Sequence, residues 1–287
     1  MQKKKTIILI PAAGNGKRFA DAGYDLPKPL IEITDRFNGN QIPMIVSAAN
    51  DINKILNRTE DDKASTIIIV KQSHQAEYNI LGRIQKYLNA EFILAPEQNE
   101  LKHRGQAVDC LRAKDLFNNE QQLFIGACDN GISLIPKKFN DLVQDQRIDA
   151  VILTHCNNQA VVSIPEAYGW VMVEDSQAYP LIAKTISVKK PISNNPLTDN
   201  AIVGSFWFRN TNDFVIAAEA MIAADDKIND EFYVDQVMQY MLNMGKKVAV
   251  LKVDKYICYG TPQDYQEYQQ TINYWLQFIR DEKPECL

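Results

Sequence analysis

An α/β fold, built on a mixed, mainly parallel central sheet with helices on both faces, is predicted by two patterns in the sequence. Across the first half of the 287-residue chain, short β-rich apolar runs alternate with longer helical patterns. Such alternation marks parallel strands joined by crossover helices. In the second half strand-like runs follow one another with few helices between them, which predicts a smaller β region walling one side of a pocket. With 46% hydrophobic and 23% charged residues the chain can bury a substantial core. No internal repeat or low-complexity tract divides it, so residues 1–287 are expected to form a single domain.

The elements follow in order. Thr6–Ile10 is a short run of Ile, Leu and Thr stopped by Pro11, and reads as a buried strand. Thr66–Val70, Glu91–Leu94 and Leu123–Gly126 have the same character, while Met44–Leu56, Gln75–Leu88 and Gln106–Leu116 read as the intervening helices. Ligands of such a sheet sit beyond the carboxyl ends of the strands, so the loops after Ile10 and Gly126 are the expected site. Asp149–Thr154, Tyr168–Val173, Leu181–Ser187 and Ala201–Arg209 are strand-like. Lys189–Asp199, with Pro191, Pro196 and several Asn, reads as a loop. Helical Glu231–Leu242 precedes a strand at Lys247–Val253. Thr261–Arg280 reads as a closing amphipathic helix with Pro262 in its first turn.

Charge narrows the partners. A formal net charge of -5 and a pI near 5.4 argue against general nucleic-acid binding and against an anionic membrane surface, so phosphate chemistry would rest on local cations. The opening MQKKKTIILIPAAG has a basic start and a short apolar run. That run is shorter than the ~7–15 residues of a secretory core and is followed at once by Pro11, so a buried strand behind a solvated Lys3-Lys4-Lys5 tail is expected instead. No segment approaches the roughly 18 apolar residues of a membrane span. The five cysteines, Cys110, Cys128, Cys156, Cys258 and Cys286, are scattered and form no CxxC pair, which predicts a reducing, cytoplasmic setting. His74, His103 and His155 are too dispersed to read as a ligand set, and are expected to be structural or exposed.

The stretch from Ile8 to Ile33 carries the chemistry. Gly14-Asn15-Gly16-Lys17-Arg18 is not a dinucleotide fingerprint, because Phe19 stands where the third glycine belongs. It is not a P-loop either, because Pro11 and Arg18 occupy the required Gly and Ser/Thr positions. What remains is a strand running into a small-residue turn whose bare N–H groups can face anionic oxygens, with the planar fork of Arg18 beside it. Lys28 lies between Pro27 and Pro29, which predicts an extended, stiff backbone from Leu26 to Pro29 and a lysine that loses little entropy on meeting an anion.

The pattern PAAGNGKRF…PKPLIEI closely resembles the signature of nucleotidyltransferases that join a nucleoside triphosphate to a sugar phosphate. Its AGYDLPKPLIE wording is similar to a branch found among capsule and surface-polysaccharide biosynthesis proteins. The resemblance implies a Rossmann-like, glycosyltransferase-A-like fold, a Mg²⁺-dependent reaction, and an NDP-sugar with pyrophosphate as products. It further implies an NTP-binding part over about 1–130, an acceptor-binding part over about 131–260 and a C-terminal helix over about 261–282.

Residue by residue, the resemblance implies that Ala13, Gly14, Asn15, Gly16, Lys17 and Arg18 hold the triphosphate, and that Lys28 bridges phosphates at the reacting phosphorus. Gly105 and Gln106 lie near the base, and Asp129, in a Cys128-Asp129-Asn130 turn with cysteine where glycine is usual, takes the metal. Tyr168 and Gly169 flank the sugar, Lys190 meets the acceptor phosphate, and the strand from Asn200 to Gly204 lines the acceptor pocket. Two departures stand out. Lys189 replaces a glutamate that accepts sugar hydroxyls, so either the acceptor is more anionic than a hexose phosphate or its hydroxyls are read elsewhere. Cys258 occupies the usual position of a second metal carboxylate, for which Asp254 or Asp235 would have to compensate. The expected partners are an NTP and a phosphorylated small molecule, without nucleic acid or membrane, in a chain that self-associates. The alternatives are a cytidylyltransferase acting on an alditol or other alcohol phosphate, a glycosyltransferase on the same fold, for which no Asp-x-Asp motif is present, and a nucleotide-binding regulatory module that has lost catalysis.

Overall fold

The computed structural model describes residues 5–56, 65–97, 103–118 and 121–282. The Lys3-Lys4 tail and Cys286 lie outside them. Strand β1 (Thr6–Ala12) runs two residues past the expected Ile10 and through Pro11. This is possible because Leu9 and Pro11 face β6 (Gln122–Ile125), and that pairing ends at Leu9↔Ile125, so the missing N–H of Pro11 falls beyond the neighbour's last rung. Between them come α1 (Lys17–Asp21), the hairpin β2 (Glu32–Thr34) and β3 (Gln41–Pro43), α2 (Met44–Ile55), β4 (Thr66–Lys71), α3 (Gln72–Tyr78), α4 (Ile80–Ile84), β5 (Glu91–Ala95) and α5 (Gln106–Leu111). After β6 follow β7 (Asn130–Ser133), α6 (Pro136–Gln144), β8 (Ala150–His155), α7 (Ala160–Ser163), β9 (Gly169–Val173), β10 (Leu181–Val188) and β11 (Asn200–Phe208). The chain continues through α8 (Thr211–Ala223), α9 (Val234–Asn243), β12 (Val248–Lys252), β13 (Lys255–Cys258) and α10 (Pro262–Glu282).

Among the described residues nine strands join in one sheet of order β5-β4-β1-β6-β11-β8-β12-β10-β9. The first four are mutually parallel. Beyond them β11 and β10 run against the others, so parallel order gives way to mixed order halfway across. The two faces follow from period-2 alternation. Ile8, Ile10, Ile68 and Val70 join one apolar cluster with α2 and α6; Ile7, Leu9, Ile67 and Ile69 join the other with α5, α8 and α9. Both faces are therefore covered, and the free edge of chemistry is the row of carboxyl ends.

Several boundaries depart from the expected ones for local reasons. The helix expected over 75–88 is broken at Asn79, which adopts a left-handed conformation (φ 49°) between α3 and α4. The helix expected over 106–116 stops at Leu111, with a separate 3₁₀ turn at Lys114–Leu116. The helix expected from Glu231 starts at Val234, because Phe232 bonds sideways instead: its N–H donates to the Arg104 carbonyl (2.9 Å) and its carbonyl accepts from the Ala107 N–H (3.0 Å). The extended backbone predicted from Leu26 to Pro29 is also corrected. Lys28 begins a 3₁₀ turn, Lys28–Leu30, closed by the Leu30 N–H donating to the Pro27 carbonyl (2.8 Å). An i→i+3 bond from Leu30 needs no donor at Pro29, so the second proline is accommodated inside the turn.

Candidate active site

The carboxyl ends of β1 and β6, the amino-terminal half of the antiparallel β11 and the paired strands β7 and β13 surround one cavity of about 450 Å³. Its first wall is the turn after β1. Gly16 has φ 60°, and a side-chain carbon there would lie 3.4 Å from Cβ of Lys28, so the turn packs directly on the 3₁₀ segment. Ala13, Gly14, Gly16 and Arg18 line the cavity. Asn15 and Lys17 are not among its lining residues. Asn15 is turned the other way: its side-chain oxygen accepts from Lys71 Nζ, and Lys71, only 6% exposed at the end of β4, also donates to Glu97 Oε2 (3.1 Å). Lys71 was not marked by the sequence reading; its one signal is a charge closing the apolar run TIIIVK.

Lys28 and Asp129 meet in an ion pair across the cavity floor. Burial would depress the Lys28 ammonium, but the adjacent Asp129 carboxylate outweighs it, so the group is held above the usual lysine range. Asp129 is positioned by its neighbours. Asn130 Nδ2 donates to the Val203 carbonyl in β11 (2.8 Å), and the Ile132 N–H donates to Asp51 Oδ2 on α2 (2.9 Å). Gly260 lies against the Asp129 carboxylate, where an added side-chain carbon would come within 3.0 Å of Oδ2.

Cys258 reaches this floor because β13 pairs with β7 in the register Cys258↔Asn130. Burial, and then the nearby Asp264, push its thiol up to about 12, and burial beside Asp129 does the same for Cys128. Both are neutral thiols at physiological pH and poor partners for a hard cation. Asp264, in the first turn of α10, was not singled out from sequence. It lines the cavity, and its Oδ2 lies 3.2 Å from Cys258 Sγ and accepts from Thr261 Oγ1 (2.6 Å). Asp254 is elsewhere, engaged with Lys138 and the Ile135 N–H. The described residues contain no group of three or more His, Cys, Asp or Glu able to hold a metal. A hard divalent ion at Asp129 would therefore draw most of its ligands from substrate oxygens and water, which is the habit of Mg²⁺.

The far wall brings together segments distant in sequence. Gly105 has φ 116°, and a side-chain carbon on it would lie 2.5 Å from the Phe232 backbone nitrogen, so only glycine fits where this loop crosses Phe232; Gln106 follows it into the cavity. Tyr168, Gly169, Lys189, Gly204, Glu231, Tyr233 and Asp235 complete the lining. Gly204 (φ 78°) sits in the register shift of β11 between Ile202 and Phe206, which turns the strand around Ala127. Asn200 is buried outside the lining and accepts a long contact from Cys156 Sγ (3.6 Å). Lys190 is exposed and away from the cavity, whereas Lys189, with φ 59°, donates to the Ala167 carbonyl and lies 5.4 Å from the Tyr233 ring. None of the three histidines lines the cavity; His155 is buried, stacks on Tyr256 (4.3 Å) and is held neutral by burial, which lowers it to about 4.

The space beside Gly169 is not open. A side-chain carbon there would approach Asp235 Oδ2 to 2.1 Å. The glycine accommodates a carboxylate from α9, not the sugar ring for which that room was expected. Asp235 itself is raised to about 6 by burial, an effect moderated by Lys189.

Comparison with known proteins agrees with this architecture. The family model described as Nucleotidyl transferase matches residues 5–275. A curated relative, UTP–glucose-1-phosphate uridylyltransferase 2 of Streptococcus pyogenes, is 28% identical over 214 residues, covering 69% of this chain and 68% of its own. Among solved structures, a nucleoside-diphosphate-sugar pyrophosphorylase from Vibrio cholerae superposes with a TM-score of 0.68 at 19% identity, covering 92% of this chain and 99% of its own. An inositol-1-phosphate CTP transferase from T. maritima superposes with a TM-score of 0.65 at 14% identity, covering 95% and 98%.

Proposed function

Because this chain belongs to the nucleotidyl transferase family and is an enzyme of that class, we propose that it transfers NMP from an NTP to a sugar 1-phosphate, yielding an NDP-sugar and pyrophosphate. The observation that supports this most directly is the meeting of the Gly16 turn, Arg18, Lys28 and Asp129 around one cavity.

A phosphate oxygen of the acceptor forms the new bond to the α-phosphorus. The bond from that phosphorus to the oxygen shared with the β-phosphate breaks, and its electron pair leaves on pyrophosphate. The attacking monoester is already a nucleophile near neutral pH, so no side chain need abstract a proton. Catalysis then consists of holding two anions in line and stabilising the charge that develops. The N–H groups of the turn and Arg18 take the triphosphate, and Lys28 exchanges its bond to Asp129 for phosphate oxygen at the reacting centre. Asp129 is the carboxylate that would hold Mg²⁺, an ion that lowers repulsion between the two anions. Gln106 offers amide groups to the base, and Tyr168, Gly204 and Lys189 bound the acceptor end.

A second reading, favoured by Lys189 standing where a hydroxyl-accepting glutamate is usual, is cytidylyl transfer to an alditol or other alcohol phosphate. Supply of an activated sugar for surface polysaccharide, in the cytoplasm, belongs to the first reading and is supported by the AGYDLPKPLIE wording. Self-association is expected with it and is measured by light scattering. Pyrophosphate release across four NTPs and a panel of phosphorylated acceptors tests both readings: release with no pair overturns them, and the productive pair separates them.

A further inference from the structure

Lys189 and Asp235 approach the cavity from different elements, and Asp235 was expected only as a possible metal ligand. Lys189 sits at the end of β10, where its N–H donates to the Tyr168 carbonyl (3.0 Å) and its ammonium to Ala167. Asp235, in the first turn of α9, sets its carboxylate against the backbone of Gly169, in volume that any other residue at 169 would fill. Between the two charges runs Tyr168-Gly169.

The chemistry of each group is specific. An ammonium has three donors, so after Ala167 it retains donors for a ligand oxygen. An ionised carboxylate accepts only, and among the described residues Asp235 takes a donor from its own backbone N–H and feels Lys189 only through its charge, so its remaining lone pairs are matched by hydroxyl groups. Opposite charges at one end of a cavity offset each other: Lys189 and the Arg18 that faces it are balanced there by Asp235 and Glu231. That end has no net surplus of positive charge with which to favour a second acid on the acceptor.

We propose that Lys189 and Asp235 together read the acceptor, Lys189 through its phosphate and Asp235 through hydroxyl groups of a neutral, polyhydroxylated skeleton, so that the carboxylate absent at position 189 is supplied from α9. This rests on the nucleotidyl-transfer reading above. It excludes uronic or otherwise acidic skeletons as preferred acceptors.

The test compares wild type with Asp235→Asn, which keeps the shape packed on Gly169. Acceptors are a neutral sugar 1-phosphate, the deoxy analogues lacking single hydroxyls, the corresponding uronic acid 1-phosphate and an alditol phosphate, with NTP affinity measured separately by calorimetry. Wild type is expected to prefer the neutral polyol. Asp235→Asn is expected to raise KM for that acceptor about 10- to 100-fold, the scale of a lost charge-assisted hydrogen bond, with NTP affinity unchanged. It should also discriminate less between the full and the deoxy acceptor. Should Asp235→Asn not fold, Lys189→Met reads the other half, with raised acceptor KM and retained NTP affinity. An unchanged acceptor KM in the folded variants, or a wild-type preference for the uronic acid, overturns the inference alone. Absence of pyrophosphate release by wild type with every pair overturns the underlying reading with it.

Discussion

Lys28 and Asp129, 101 residues apart in the chain, neutralise each other across the floor of the cavity. Each is the group that the other would need to release when a triphosphate and its cation arrive. Under the proposed reaction, phosphate oxygen would take the place of the carboxylate on the lysine, and the freed Asp129 carboxylate would be available to hold a cation. The site is thereby preorganised without leaving an unpaired charge half-buried, which would cost more than the pair itself contributes.

Lys28→Ala is expected to lower turnover roughly 10²- to 10³-fold, the scale for removing one preorganised donor from developing charge. The 3₁₀ turn, closed by Leu30 and Pro27, should persist, but melting is expected to fall somewhat because Asp129 is left without its cation at the cavity floor. Pyrophosphate release near the wild-type rate would remove Lys28 from the proposed role.

At position 258 a carboxylate would stand beside Asp264, whose Oδ2 is 3.2 Å from the present sulfur. Cys258→Asp is therefore expected to lower the Mg²⁺ concentration for half-maximal rate and to lower the melting temperature in chelator, with Mg²⁺ plus NTP restoring it. A metal titration identical to wild type would show that position 258 does not reach the ion.

The parallel half of the sheet was legible because buried strands there are continuous apolar runs, and the Gly14–Arg18 turn and Lys28 are local signals. Helix α6 was overlooked despite its local signals, Pro136 at the start and an amphipathic period; the other missed parts have causes that are less local. The three-rung hairpin β2–β3 and the four-rung pairing of the distant strands β7 and β13 are too short to show periodicity. Helix α8, largely apolar along its length, has no polar stripe to betray a helical period. Lys189 was read as a missing glutamate and Lys190 as the acceptor cation, because alignment by motif cannot tell which of two adjacent lysines turns inward. The φ of 59° at Lys189 decides that, and it depends on the tertiary setting. Asp235 was singled out only as a possible metal ligand, since its closeness to Gly169 joins α9 to β9 across 66 residues (235 − 169).

Lys71 braces the far side of the turn after β1 through Asn15. Lys71→Met is expected to reduce kcat/KM for the NTP about 10- to 100-fold, with the loss mainly in KM, and Lys71→Arg to restore part of it. The acceptor KM serves as the internal reference. Equal damage to both substrates would mean that Lys71 supports only the fold.

Gly169→Ala introduces a carbon 2.1 Å from Asp235 Oδ2 and 3.0 Å from Ile202 Cδ1. A carboxylate at the end of a side chain can rotate away, so the fold is expected to survive while acceptor KM rises. Combined with Asp235→Asn, the two effects should not add, because both remove the same carboxylate from the same place. Additive losses in the double variant would refute the shared cause.

The pH dependence of acceptor binding follows from Asp235. Burial raises its carboxyl to about 6, against an ordinary value near 3.9, with Lys189 pulling it back. The charged and titratable groups around it are Lys189, with Arg18 facing that lysine, and Glu231, Tyr233 and Tyr168. Below about pH 6 Asp235 becomes neutral in the fold and acceptor KM is expected to rise. The acceptor phosphate titrates near the same pH, so the difference between wild type and Asp235→Asn isolates the carboxyl: the variant should retain only the shallower dependence of the phosphate. Stability moves the opposite way. A folded value above the unfolded one means that the native state binds the proton more tightly, so wild type loses stability as pH rises from about 4 through 6. Asp235→Asn, which never ionises, is expected to melt above wild type at pH 7.5 and to match it more closely at pH 5. If the two proteins instead kept a constant gap in melting temperature across that range, Asp235 would not be the buried acid that the acceptor end of this cavity uses.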